Sequence, residues 1–147
     1  MVMKKIGRIL ASAAVLVGVG VVAPVATAGP AAAGGYGCNG TLIDSIPHTA
    51  YGTGERIGTT YLYWDGTYNC AALVKQGSLY GVKTRMALSL GTDTELKGDP
   101  GHYQYYAGPV KVYGKGKCIF TEGTLWGANG HELSQGRAPA HGYFHCG

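Results

Sequence analysis

Residues 60–74 read Thr-Tyr-Leu-Tyr-Trp-Asp-Gly-Thr-Tyr-Asn-Cys-Ala-Ala-Leu-Val, which is a pair of strand-like runs on either side of an Asp-Gly turn. Tyr, Trp, Thr and Val favour strands because their side chains fit a pleated, half-buried surface. Asp65-Gly66 supplies the positive φ angles that a tight hairpin turn requires. We therefore predict a β-hairpin in which residues 60–64 pair with residues 68–74 across residues 65–67.

The chain around this hairpin continues as short apolar runs separated by glycine. In residues 80–90, Tyr, Val, Thr, Met and Leu alternate with Gly, Lys, Arg, Ala and Ser, which predicts a half-buried strand with its two cations toward solvent. No stretch keeps a helical period over three turns. We predict an all-β domain, a small antiparallel sandwich or flattened barrel of about seven or eight strands.

Turn-forming residues divide the second half of the chain. We predict a turn at residues 99–101, Asp-Pro-Gly, and a strand start or a sheet edge at Pro109, because proline cannot donate to a central ladder. A turn at residues 114–116, Gly-Lys-Gly, would lead into residues 117–121 as the second strand of another hairpin. Residues 141–145 are predicted to be a last short strand.

The N-terminus has the three parts of an export signal. Basic residues at positions 4, 5 and 8 precede an apolar run at residues 9–22, and Ala26-Thr27-Ala28 has the small-residue pattern of a cleavage site. The apolar run has about 14 residues, fewer than the roughly 20 that a helix needs to cross a bilayer. We predict a signal peptide at residues 1–28, a flexible leader at residues 29–37 and a secreted β domain at residues 38–147, with no membrane attachment after cleavage.

Charge and cysteine count agree with an exported domain. Three of the twelve basic residues lie in the signal, so nine Lys and Arg remain against eight Asp and Glu. This near-neutral balance argues against nucleic acid or an anionic membrane as a partner. The four cysteines, Cys38, Cys70, Cys118 and Cys146, all follow the signal, and an even number in a small exported domain indicates two disulfides.

The cysteine spacing leaves three pairings open. We favour Cys38 with Cys70 and Cys118 with Cys146, because each of these pairs closes a loop of about 30 residues and would join neighbouring strands. Each bridge is expected to stabilise the domain by about 3 to 4 kcal/mol.

Several motifs resemble those of spore-associated protein A, a family of small secreted actinobacterial proteins. The most specific are Tyr106-Ala107-Gly108-Pro109-Val110 and, shortly after it, Gly116-Lys117-Cys118. Residues 58–63, Gly-Thr-Thr-Tyr-Leu-Tyr, and Asn69-Cys70-Ala71 also match, whereas residues 119–123 depart from the family's acidic-Trp-Gly-Gly run. The resemblance implies export from growing hyphae and recovery with spores or aerial growth. It implies no catalytic residues, because the family defines none.

Two histidines near the C-terminus have the spacing of a helical zinc site. His141 and His145 are four residues apart, but on a strand this spacing corresponds to about 13 Å, which is too far to share one ion. We therefore expect no metal site and no cofactor.

A second set of residues has the types that a secreted ribonuclease uses. His131-Glu132 with His102 would supply an acid and a base, and Arg85 or Arg137 would bind phosphate. No spacing in the sequence brings these residues together, and no helix is predicted to carry them. We therefore expect ordinary exposed loop histidines.

Tyrosine is unusually frequent, with eleven in the chain. Period two places Tyr103 and Tyr105 on one face of a strand and Tyr106 on the other, so at least one is expected to be exposed. Aromatic rings with hydroxyls at the rim suit sugar rings or another protein. Tyr103, Tyr105 and Tyr106 are therefore a candidate binding surface, with Trp126 in a Gly-rich loop as a further contact, and half-buried packing is the alternative explanation.

These observations support three functional hypotheses. The first is a non-enzymatic secreted structural or binding protein, a monomer associated with the cell or spore surface, whose partner is a wall or spore-surface glycan or protein. The second is a secreted inhibitor of a protease or glycosidase, in which residues 123–139 would form the long, rigid binding loop. The third is a small secreted hydrolase such as a ribonuclease, which would lose activity when His131 or His102 is replaced.

Overall fold

The structure is a computed structural model that describes residues 34–147. The predicted signal peptide and residues 29–33 of the predicted leader lie outside the described residues. Within residues 34–147 there are eight strands and one 3-10 turn at Gly77–Leu79. No helix in this part of the chain has the length and apolar character needed to cross a membrane.

The eight strands form two four-stranded antiparallel sheets. The strands are β1 (Thr41–Thr49), β2 (Arg56–Trp64), β3 (Tyr68–Lys75), β4 (Thr84–Gly91), β5 (Leu96–Tyr103), β6 (Tyr106–Tyr113), β7 (Phe120–Trp126) and β8 (Glu132–Ala138). Sheet I has the order β1-β2-β3-β6 and sheet II the order β5-β4-β7-β8. The sheets do not close into a barrel, so the predicted all-β sandwich is confirmed.

The β2–β3 hairpin is confirmed with its predicted turn. Trp64 pairs with Asn69 and Tyr63 with Cys70. The Asp65 carboxylate accepts hydrogen bonds from the backbone N–H groups of Tyr68, at 2.7 Å, and Thr67, at 2.9 Å. The bond from Tyr68 is the main reason that the pKa of Asp65 is lowered, since it favours the charged carboxylate.

The core lies between the sheets and follows the period-two alternation. Leu62 and Leu73 contribute from sheet I, and Met86, Leu88 and Leu125 contribute from sheet II, each at most 1% exposed. The predicted strand at residues 80–90 begins only at Thr84. Tyr80 and Val82 precede it in an exposed connection, because the chain is still leaving the 3-10 turn there.

Prolines occupy the edge strands of both sheets. The predicted turn at residues 99–101 is wrong, since these residues lie inside β5, where Pro100 pairs with Ala87. Pro109 lies in β6, which is an edge strand of sheet I. This confirms the sheet edge that was predicted from the missing N–H of proline. An edge strand accepts proline because one side of its backbone has no ladder partner.

The predicted second hairpin, at residues 114–121, is also wrong. β6 pairs with β3 in sheet I, whereas β7 pairs with β4 and β8 in sheet II. The segment between β6 and β7 therefore carries the chain from one sheet to the other. The Gly-Lys-Gly turn is present, but the chain that leaves it enters sheet II and does not pair with β6.

The predicted long loop at residues 123–139 is instead most of the β7–β8 hairpin. Residues 127–131 form its turn, and the pairing has one register shift between Leu125 and Trp126. Residues 141–145 do not form the predicted strand, and only an isolated bridge joins Ile119 to Phe144. Glycine and serine in this region concealed the strands, since they have low strand propensity.

Both favoured disulfides are present. Cys38 is bonded to Cys70, 32 residues along the chain, and Cys118 to Cys146, 28 residues along. The first bond ties the segment before β1 to β3, in the middle of sheet I. The second ties the C-terminus to the residues that lead into β7.

Candidate functional site

Five tyrosines lie in two groups of neighbouring rings toward the outer side of sheet I, and we call the two groups together the tyrosine patch. Its members are Tyr36, Tyr61, Tyr80, Tyr105 and Tyr106. The ring centroid of Tyr36 lies 5.6 Å from that of Tyr61 and 5.4 Å from that of Tyr106. The rings of Tyr80 and Tyr105 are 5.2 Å apart. Burial is the main reason that the pKa of Tyr36 is raised, and the neighbouring Tyr61 and Tyr80 add to this effect.

The segment before β1 carries Tyr36 onto this face. The Cys38–Cys70 disulfide fixes its end to β3. Gly37 has a φ of 83°, and a Cβ there would lie 3.0 Å from Pro109, so only glycine allows this backbone to approach β6 so closely. Residues 34–37, the described part of the predicted leader, therefore pack on sheet I and place Tyr36 over Tyr61.

The patch is large, exposed and free of formal charge. Tyr80 is 61% exposed, Tyr105 45%, and Tyr36 and Tyr106 39% each. At the other end of the same face Tyr68 packs edge-on against Tyr113, and Lys111 lies over the Tyr68 ring. The outer side of sheet I is thus aromatic along most of its length.

The predicted surface residues do not all come together. Tyr105 and Tyr106 belong to the tyrosine patch. Tyr103 does not, because its ring packs against the core and its hydroxyl donates to Asp99, a hydrogen bond that raises the pKa of Tyr103. Trp126 lies on the other sheet, as the last residue of β7 and not in a Gly-rich loop.

Sequence reasoning missed Tyr36, Tyr61 and Tyr80 as members of the patch. Tyr61 alternates with buried Leu62 in β2, so period two could have assigned it to the outer face. Tyr36 lies two residues before Cys38, and its position follows only once the disulfide partner is known. Tyr80 lies in an irregular connection, where no period applies.

The outer face of sheet II has a shallow trough of about 210 Å³. Its floor is made of small or short residues on β4 and β5, namely Ala87, Ser89, Gly98 and Pro100. Glu122 and Thr124 of β7 line its side. The Gln135 amide of β8 donates to Glu122 at 2.9 Å, so the polar groups beside the trough are held in place.

An arginine–aromatic pair stands at each end of this face. The Arg85 guanidinium lies 4.4 Å from the centre of the Trp126 ring, and that of Arg137 lies 4.6 Å from the Phe120 ring. The Arg137 guanidinium also donates to the carbonyls of Pro139 and Gly142, at 2.6 and 2.9 Å. Arg137 is therefore already bound to the chain's own backbone.

The residues of the ribonuclease hypothesis lie on sheet II but do not converge. His102 pairs with Arg85 across β5 and β4, and Glu132 pairs with Trp126 across β8 and β7. Three strand spacings of about 4.8 Å separate the His102 and Glu132 backbones, which is about 14 Å. An acid and a base that act on one bond must both reach the reacting atoms, and this separation is too large for that.

The C-terminal histidines also occupy separate places. His145 forms a hydrogen bond with Asp44, with 3.0 Å between Nε2 and Oδ2, whereas His141 lies in the exposed segment that precedes the Ile119–Phe144 bridge. Across residues 34–147, no three His, Cys, Asp or Glu side chains lie close enough to hold a metal ion.

Two titratable side chains are buried inside the sandwich. His48 of β1 donates to or accepts from the Thr60 hydroxyl at 2.8 Å, and its ring lies against Gly123 and Gly136, where a Cβ would come within 3.0 Å. Its Nδ1 has no hydrogen-bond partner among the described residues. Burial lowers the pKa of His48 to about 4, so the ring is neutral.

The second buried group is Lys75, at the end of β3. Its Nζ donates to the Val82 carbonyl, the Thr84 hydroxyl and the Tyr103 carbonyl, each at 2.6 Å. Burial lowers the pKa of Lys75 to about 8. Both groups are enclosed by the sheets, and we assign them to the stability of the sandwich.

We compared the chain with known proteins at three levels. No family model, curated protein or solved structure matches it. The resemblance to spore-associated protein A therefore stays a prediction from the motifs.

Proposed function

We propose that this protein is a non-enzymatic secreted binding protein of the cell or spore surface, and that its tyrosine patch attaches to a protein there. The observation that carries the proposal is the patch itself, four of whose five members are between 39% and 61% exposed. Large exposed apolar patches on small domains are typical of interaction sites. Tyrosine is enriched in protein interfaces because it offers a large contact area with few rotatable bonds.

The patch is also organised before any partner arrives. Tyr61 projects from β2 and Tyr106 from β6, and both strands pair with β3. The Cys38–Cys70 disulfide holds the segment that bears Tyr36. Side chains that are already ordered lose little conformational entropy on binding. A rigid aromatic surface of this kind favours a stable partner over a transient encounter.

A protein partner fits the patch better than a glycan does. Sugar-binding sites combine aromatic faces with several directed polar groups. The five members of the patch offer only phenolic hydroxyls, with no carboxylate, ammonium or guanidinium group among them. The central residues of a protein interface have this same character, since charged groups are depleted there.

Three further features support a secreted binding protein. The predicted signal peptide precedes the domain, and two disulfides link its ends to the sheets. The motifs that resemble spore-associated protein A contribute Tyr61 and Tyr106 to the patch.

The inhibitor hypothesis loses its structural basis, because residues 123–139 form most of a paired hairpin in place of a long loop.

A pull-down tests the proposal directly. The oxidised mature protein is incubated with spores, with protease-treated spores and with insoluble wall glycans. We expect retention on untreated spores that falls after protease treatment and that falls in a Tyr80→Ala/Tyr106→Ala variant. Tyr113→Ala is the matched control, because Tyr113 is 46% exposed at the far end of the same sheet.

Other outcomes decide against this reading. Equal retention of the wild type and the double variant on spores would show that the tyrosine patch does not bind the spore surface. Retention on wall glycans alone, unchanged by protease, replaces the protein partner with a glycan. Capture of a secreted hydrolase that the double variant no longer captures makes the inhibitor hypothesis the leading one.

A further inference from the structure

The trough on the outer face of sheet II is independent of the tyrosine patch, because the two lie on opposite sides of the sandwich. We infer that this trough is a second binding site, and that its ligand is an extended neutral oligosaccharide. Three properties of the face lead to this ligand class: its shape, its mixture of aromatic and polar groups, and its charge.

The shape follows from the strand register. Ala87 pairs with Pro100 and Ser89 with Gly98, so four neighbouring outward positions on β4 and β5 carry no long side chain. On the next strand Thr124 pairs with Ala87 and Glu122 with Ser89. The backbone of β4 and β5 therefore forms the floor of the trough, and the Glu122 and Thr124 side chains of β7 line one side.

The ends of the face make the site elongated. Trp126 and Phe120 are six residues apart on β7, so they share one face and are separated by about 20 Å along the strand. The ring of Phe120 lies over Gly91, where a Cβ would be 2.6 Å from the ring. An opening bounded by an aromatic group at each end suits a chain of several rings better than a single compact molecule.

The chemistry of the face suits sugars. The aromatic side chains at the ends of the trough offer apolar contact area to the C–H groups of a sugar ring. Sugar hydroxyls need directed donors and acceptors. Ser89, Glu122 and Thr124 supply them within the trough, and Gln135 is hydrogen-bonded to Glu122 from the neighbouring strand. Because Gln135 already donates to Glu122, the remaining donors and acceptors of this pair keep a fixed orientation.

The charges on the face favour a neutral ligand over an acidic one. Glu122 lies at the centre and would repel an anionic chain. Of the two arginines, Arg137 is committed to the carbonyls of Pro139 and Gly142, and Arg85 lies over Trp126. Arg85 and Arg137 balance Glu122 and Glu132 along this side of the sheet, so no net positive field remains to attract phosphate or uronic acid.

Titration of the oxidised mature protein with soluble tetrasaccharides tests the inference. The neutral probes are cellotetraose, chitotetraose and laminaritetraose, and tetragalacturonic acid is the anionic probe. Binding is followed by calorimetry and by changes in tryptophan fluorescence. We expect one neutral probe to bind and the anionic probe not to bind.

Two variants examine the trough from opposite directions. Trp126→Ala removes the aromatic end, and Ala87→Arg fills the floor while leaving the ends intact. Both are expected to weaken binding by at least about tenfold, and unchanged unfolding midpoints show that the fold is kept. Tyr80→Ala/Tyr106→Ala is the matched control and is expected to bind the neutral probe as the wild type does.

Failure of this inference is distinguishable from failure of the proposed function. The absence of binding to every neutral probe, or undiminished binding by Ala87→Arg, overturns the trough as a glycan site. Preferential binding of the anionic probe overturns the charge argument. None of these results affects the retention on spores that tests the tyrosine patch.

Discussion

The two outer faces of the sandwich come from the same alternation of residues, yet they differ in what they offer to a partner. Sheet I turns large rings outward, and a disulfide-bonded segment adds Tyr36 above them. Sheet II turns small residues outward in its centre and places an arginine–aromatic pair at each end. Strand period decides which residues face outward, whereas the size of those residues decides whether a face projects or recedes.

Removal of the first disulfide is expected to have the largest effect, because it lowers the stability of the whole domain and also releases the segment that places Tyr36 on sheet I. The Cys38→Ser/Cys70→Ser variant releases a loop of 32 residues, which costs about 3 to 4 kcal/mol of unfolding free energy. It also frees Tyr36 from the patch, so retention on spores should fall. Urea unfolding and the pull-down measure the two effects.

The second disulfide provides the control for this prediction. Cys118→Ser/Cys146→Ser opens a loop of 28 residues, and a loss of stability of similar size is expected. The tyrosine patch contains no residue tied by that bond, so retention should persist at temperatures where the variant is folded. Equal loss of retention in both variants would contradict a specific role for the Tyr36 segment.

Acid is expected to weaken the contact between the two sheets through His48. The pKa of His48 is about 4 in the folded protein, whereas an unburied histidine has a pKa of 6.5. The unfolded chain therefore binds more protons between these values, so the free energy of unfolding falls as pH falls from 6.5 to 4. The full effect is about 3 kcal/mol.

Urea unfolding at several pH values within this window measures the effect. His48→Gln is the comparison, because it keeps a polar group near Thr60 and removes the titration. We expect a shallower dependence on pH in the variant. Parallel curves for the two proteins would show that other groups cause the acid sensitivity.

Lys75→Met is expected to loosen the two connections that carry Tyr80 and Tyr105. Lys75 Nζ bonds the carbonyls of Val82 and Tyr103, close to these two tyrosines in the chain. Without the ammonium group three buried acceptors lose their donor, which costs about 2 kcal/mol or more. Thermal unfolding and hydrogen exchange of residues 80–84 and 103–106 measure the change.

The isosteric change Thr84→Val separates the contribution of the Lys75 ammonium group from that of the Thr84 hydroxyl. Thr84→Val removes one acceptor and leaves the other two bonded to Lys75. Its effect should be smaller than that of Lys75→Met and should not reach Tyr105. A Thr84→Val variant as unstable as Lys75→Met would place the stabilisation in the hydroxyl.

The smallest expected effect is confined to sheet II. Arg85→Ala removes the cation from the Trp126 ring, and an exposed contact of this kind contributes about 0.5 to 1 kcal/mol. The variant should bind the neutral tetrasaccharide with altered affinity and should be retained on spores as the wild type is. A change in retention on spores would show that the two faces are coupled.

Local patterns predicted the features that need only neighbouring residues. The β2–β3 hairpin follows from an Asp-Gly turn between two strand-forming runs, and the buried positions of β4 follow from alternation at Thr84, Met86, Leu88 and Leu90. The disulfide pairing was favoured from loop length and is confirmed. These features are set within about 30 residues of chain, where the sequence carries most of the information.

Non-local pairing explains the errors. Pro100 and the glycines of β5 looked like a turn, but an edge position tolerates them. β8 lacks strand-forming residues, and Gly123 and Gly136 in the β7–β8 hairpin make room for the His48 ring from sheet I. A glycine that is required by a side chain of the other sheet has low strand propensity, so the local sequence does not predict a strand there.

Composition and short spacing are enough to predict the all-β class, the first hairpin and an abundance of tyrosine, and they favour the disulfide pairing that the structure has. The tertiary structure is needed to place Tyr36 against Tyr61 and Tyr106, to separate Tyr103 and Trp126 from them, and to align small residues of β4 and β5 as a trough. The physical reason is that a surface is assembled from strands distant in the chain. Its members become neighbours only when strand order, register and the choice of sheet are set by packing of the whole core.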